Sequence, residues 1–84
     1  MHGYCITFRS VTFAQRGERM LQLGGVGCTL QRTPKWMEER GCGYCLRVQP
    51  NRLNDAVRLL RQGKIPFRKV YSLEPGAETQ EVSV

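Results

Sequence analysis

Apolar and polar positions alternate near the start of the chain, with Tyr4, Ile6 and Phe8 on one side and Cys5, Thr7 and Arg9 on the other. That pattern predicts a half-buried strand, followed by Ser10 as an N-cap hydroxyl. Ala14, Gly17, Leu21 and Gly24 then recur at helical spacing with Phe13 and Met20 beside them, and Gly24-Gly25 closes the segment. This is an amphipathic helix whose interior Gly17 predicts close packing against a neighbouring backbone. Residues 27–32 read as a second strand with Cys28 and Leu30 inward, closed by Pro34. A polar connection, 35–42, carries the sole tryptophan, Trp36, which is expected to lie as a hydrophobic lid over the core edge. Residues 44–48 alternate again as a third strand. Pro50-Asn51 introduces a second helix with Leu53, Ala56, Val57 and Leu60 as its apolar stripe and Arg52, Arg58 and Arg61 on its wet face. Gly63 ends it, residues 67–73 read as a fourth strand, and residues 75–84 as a polar tail expected to fray.

The resulting order, strand, helix, strand, strand, helix, strand, predicts a ferredoxin-like α+β domain, βαββαβ. A four-stranded antiparallel sheet is expected, with two helices on one face and the other face open. One domain, residues 1–74, accounts for the 84-residue chain, because so short a chain supports a single core. In this topology strands one and three are central neighbours. The start of strand three, the end of strand one and the end of strand two therefore share a rim with the start of helix one. Cys42 and Cys45 are expected there beside Arg9, Ser10 and Arg32.

Composition changes the picture in two ways. With 40% hydrophobic and 24% charged residues the chain has the make-up of a soluble domain, and no apolar run is long enough to span a membrane. The first residues do not form a secretory signal, so a cytoplasmic setting is expected. That setting keeps thiols reduced and turns Cys5, Cys28, Cys42 and Cys45 away from a disulfide framework, toward reactive or metal-binding roles. The second change is charge: 13 basic residues against 7 acidic ones leave +6, a field that attracts anions without saying which.

Only Cys42 and Cys45 are close in sequence, as Cys42-Gly43-Tyr44-Cys45. This is not the thioredoxin arrangement, since the motif precedes a strand, nor that of heavy-metal chaperones, which place it after strand one. A zinc site would need a second ligand pair, which the sequence lacks; His2, near the terminus, is no substitute. No metal and no organic or nucleotide cofactor is implied. The rim does suit a thiolate, because unpaired N–H groups at a helix N-terminus and nearby guanidiniums lower a thiol pKa. Cys42 and Cys45 are the candidate reactive thiols, with Arg9, Ser10, Arg32, Gly43 and Arg47 as anion-stabilising candidates. Cys5 is expected on the open face, toward the far end of strand one from Cys45, so that a bond between them looks strained for distance. Cys28 reads as a small buried hydrophobe.

Tyr4-Cys5-Ile6-Thr7-Phe8-Arg9-Ser10, Ala14, Glu18, the Pro34 loop and Cys42-Gly43 leading into Leu46-Arg47-Val48 together resemble the small bacterial selenium/sulfur carrier-like family. The resemblance covers all but the tail. It implies a non-catalytic or weakly catalytic protein that carries sulfur or selenium, with the family's cysteine-glycine pair at Cys42 and Gly43. Donor and acceptor proteins would be its partners, and Cys45 would be a second or resolving thiol. The rival is a binding module for RNA or protein, or a homodimer formed through sheet edges, with incidental cysteines. Arg9, Arg47 and Tyr71 on the open face are its basis, although strands one and three lack the aromatic signature of RNA-binding sheets, which makes nucleic acid the weaker expectation.

Overall fold

A computed structural model describes residues 3–33, 43–73 and 81–82. The first helix, α1 (Val11–Leu23), begins where the sequence places it: Ser10 is extended, and its Oγ accepts from Phe13 N at 3.2 Å. It ends in a Schellman turn, in which Val26 N donates to Leu21 O at 2.8 Å and Gly25 N to Gln22 O at 3.1 Å, with Gly25 at φ +81. Gly17 lies where a Cβ would sit 3.1 Å from both Leu60 and Phe8 and 3.2 Å from Leu46, so its lack of a side chain lets α1 settle onto the sheet and the second helix.

The strands are β1 (Tyr4–Thr7), β2 (Cys28–Arg32), β3 (Tyr44–Val48), β4 (Val70–Ser72) and β5 (Glu81–Val82). A short 3-10 turn, Pro50–Arg52, precedes the second helix, α2 (Leu53–Gln62). Proline's fixed φ suits that turn and delays the α-helix by a few residues relative to the sequence expectation. The sheet runs β2-β3-β1-β4-β5 and all its pairings are antiparallel. Among the described residues the architecture is α+β with two α-helices and five strands, one strand more than expected. The additional strand comes from the stretch read as polar tail, where Val82 pairs with Val70 and packs against the core, and Glu81 pairs with Tyr71. The fourth strand is shorter than residues 67–73. Thr7 N still donates to Lys69 O and Arg68 N to Thr7 O, each at 2.8 Å, but Thr7 Oγ1 also accepts from Lys69 N, and this side-chain bond interrupts the regular ladder.

Period-two alternation divides the sheet into two unlike faces. Toward the helices, Ile6, Phe8, Leu46, Val48 and Val70 join Ala14, Leu21, Ala56, Val57 and Leu60 in one core. On the other face Cys5, Cys45 and Tyr71 form a small buried cluster with Leu73 against it. Among the described residues, no helix is long and apolar enough to cross a membrane.

Candidate functional site

The described residues bring together the strand ends expected at the rim. β2 and β3 pair Arg32 with Tyr44 and Gln31 with Cys45, and just beyond, Thr33 N donates to Gly43 O at 2.8 Å. β1 and β3 pair Thr7 with Cys45, so extending that register carries Arg9 to the level of Gly43. The start of α1 follows immediately, capped by Ser10 and with no acidic residue in its first turn. Arg9 and Arg32 are both exposed there, and the Arg32 guanidinium lies 5.5 Å from the centre of the Tyr44 ring. Gly43 has φ +82, a left-handed conformation that side chains other than glycine rarely adopt. Glycine thus lets the chain turn sharply into β3 one residue after Cys42.

Arg47 does not belong to this rim. It is exposed and paired with Cys5 and Thr29, toward the C-terminal end of β3. Tyr71, proposed as an aromatic platform, is only 8% exposed and packs with Cys5 and Cys45. It is therefore not an open surface for stacking a base. Cys42, Trp36 and His2 lie outside the described residues.

The cysteines depart most from expectation. Cys5 and Cys45 form a disulfide, with Cα atoms 6.0 Å apart, and both are fully buried. Sequence reasoning placed these residues too far apart. In a four-residue strand the far end is one diagonal step away: Cys5 faces Arg47, Cys45 faces Thr7, and both side chains leave the sheet on the same face. The spacing falls inside the range a disulfide requires. Cys45 is thus covalently joined to Cys5, and in this state it is not a second free thiol for Cys42.

Cys28 sits on the opposite face, half-buried against the core, with its Sγ 3.8 Å from Glu18 O as donor. Burial, reinforced by the Glu18 carboxylate, pushes this thiol up to about 11. A neutral thiol is a poor nucleophile, so Cys28 is a packing residue.

Three residues beside the rim escaped the sequence: Thr33, Arg68 and Lys69. Thr33 Oγ1 is shielded from solvent and has no hydrogen-bond partner among the described residues, one residue past Arg32 and directly beside Gly43. A buried hydroxyl of this kind is costly unless something occupies it. Arg68 and Lys69 arrive alongside Thr7, with Lys69 Nζ 3.4 Å from Glu81. A lone threonine before a proline carries no recognisable signal; the two cations could have been found only from the pairing of β4 with β1. Among the described residues, no group of three or more His, Cys, Asp or Glu side chains could hold a metal ion.

Residues 3–72 match the model of a family described as "Putative Se/S carrier protein-like". No curated protein and no solved structure matches the chain.

Proposed function

From the premise that the chain belongs to the Se/S carrier protein-like family, we propose that it carries a sulfur or selenium atom on Cys42 and passes it between donor and acceptor proteins. The frame is a ferredoxin-like domain with an added edge. The order β2-β3-β1-β4 and the shared helix face support that reading, and β5 extends it. The observation that carries the proposal is the seating of Gly43: its carbonyl is bonded to Thr33 N, at a rim flanked by Arg9, Arg32 and the capped start of α1. The groups at this rim that favour an anionic adduct are guanidinium charge, the positive end of a helix dipole and the Thr33 hydroxyl, which has no hydrogen-bond partner among the described residues.

Loading is a sulfur transfer without net oxidation. The Cys42 thiolate attacks the outer sulfur of a donor persulfide; the new bond joins that sulfur to Cys42 Sγ, the donor's S–S bond breaks, and its electron pair leaves on the donor thiolate. An acceptor thiolate unloads Cys42 by the same attack. The Cys5–Cys45 bond gives this scheme a second branch. While it is intact, Cys45 cannot attack, and the cargo is passed on. After a dithiol reduces it, with the reductant itself becoming a disulfide, the Cys45 thiolate can displace the cargo from Cys42 as hydrosulfide, leaving a Cys42–Cys45 bond.

Intact-mass measurement after incubation with inorganic polysulfide tests the reading. The parent protein should gain sulfur atoms and lose them on reduction, whereas Cys42→Ser should stay at its starting mass. Equal loading of Cys42→Ser would remove Cys42 from the scheme.

A further inference from the structure

The two helices end in the same way with different residues. α2 closes in a Schellman turn like that of α1: Ile65 N donates to Leu60 O at 2.9 Å and Lys64 N to Arg61 O at 3.1 Å. The left-handed position that Gly25 fills after α1 is filled after α2 by Lys64, at φ 54, the one non-glycine residue with positive φ among those described. Glycine is favoured there, so a lysine is held against its backbone preference. Backbone strain of this kind prompts a search for what the side chain does.

Lys64 is exposed between Gly63 and Ile65, and these two residues line one wall of a groove of about 220 Å³. The other wall is the stripe Arg16, Arg19, Met20 and Leu23 along α1. Leu23 is 78% exposed, the most exposed large hydrophobic residue described. The groove has room for one large apolar side chain, since a cavity of about 150 Å³ already holds benzene. Its floor is adaptable, because methionine repacks readily around different shapes. Arg16 and Arg19 are exposed and precede the last turn of α1, so stabilising that helix's dipole does not account for them.

An apolar slot lined by two arginines, with a lysine of positive φ between two of its lining residues, on a chain of net charge +6, is complementary to one kind of surface. We propose that the groove between the C-terminal ends of α1 and α2 docks an acidic segment of a partner protein bearing one aliphatic or aromatic anchor. The anchor enters beside Leu23 and Met20, and carboxylates on either side of it meet Arg16, Arg19 and Lys64. Along α1 this surface runs from Arg16, about 9 Å from Ser10, to Leu23, about 20 Å from it. A partner held here leaves the thiol rim uncovered, and the proposal does not depend on the carrier reading.

Selection from a displayed library of random peptides, followed by affinity measurement on the selected sequences, tests it. An aliphatic or aromatic residue flanked by Asp and Glu should emerge. Leu23→Ser should weaken binding on the order of tenfold or more without lowering the unfolding midpoint, as an exposed anchor contact would. Arg16→Glu with Arg19→Glu should weaken it and flatten its salt dependence. Lys64→Gly separates binding from stability: it should raise the unfolding midpoint and still weaken binding. Cys42→Ser should bind as the parent does, so failure of sulfur loading and failure of docking read out separately. The proposal is overturned if no acidic consensus emerges or if Leu23→Ser binds as well as the parent. It is equally overturned if only vesicles containing anionic phospholipid bind in a Leu23-dependent way, or if the only Leu23-dependent event is self-association in sedimentation.

Discussion

The two faces of the sheet are held by different forces. Toward the helices, thirteen buried residues from strands, helices and turns form one continuous core that removes apolar surface from water. On the other face, among the described residues, Cys5, Cys45 and Tyr71 are buried together with Leu73 against them, and the cohesion there includes a covalent bond between β1 and β3. One face is a packing problem and the other a cross-link. In the proposed scheme the cargo is carried on Cys42, and the cross-link adds only the branch that opens when the bond between Cys5 and Cys45 is reduced.

The largest effect belongs to the packed face. Phe8 is fully buried, and Phe8→Ala should cost about 3–5 kcal/mol in denaturant unfolding. A cost near zero would mean that the helix-side core is not what holds the domain. Replacing Cys5 and Cys45 together by serine should come next. Closing a loop between residues 40 apart in sequence is worth about 2–4 kcal/mol, and a reducing agent should produce the same loss in the parent and none in the variant. If reductant destabilises both proteins equally, the bridge is not the source. Smaller again is the rim: Ser10→Ala, which removes the acceptor for Phe13 N, should lower stability by about 1 kcal/mol.

The smallest effect at neutral pH belongs to Cys28, a free thiol on the helix side of the sheet, while Cys5 and Cys45 on the other face are joined and do not titrate. The folded environment raises Cys28 from 9.0 to about 11, so an unfolded chain releases that proton first. Stability contributed in this way is complete below pH 9 and is lost as pH rises toward 11; Cys28→Ala should remove that part of the alkaline decline. Below pH 9, alkylation of Cys28 in the folded protein should be slow, which keeps it out of the sulfur chemistry.

Local rules carried most of the fold. Ser10, Gly24 and Gly63 mark helix ends and alternation delimits β3, because each signal lies within a few residues of the structure it specifies; Gly17 is a place of close approach, but to the side chains of Leu60, Phe8 and Leu46 rather than to the backbone expected. β5 was not legible. A two-residue strand has no periodicity, and only its pairing with β4 makes Glu81 and Val82 a strand. The Cys5–Cys45 bond was hidden for a related reason: it depends on register across β1 and β3, while the cysteine spacing and the expected reducing compartment both argued against a bridge. The rim itself was visible from topology, down to Arg32 beside the start of β3, but Thr33 was not, because an orphaned hydroxyl is a property of surroundings rather than of sequence.

Peptide mapping without reduction, before and after loading with inorganic polysulfide, tests the central claim most directly. The account predicts one linked pair, the peptides containing Cys5 and Cys45, in both samples, with the added sulfur on the peptide containing Cys42. A Cys42–Cys45 linkage in the unloaded protein, or added sulfur on Cys28 rather than Cys42, would contradict it.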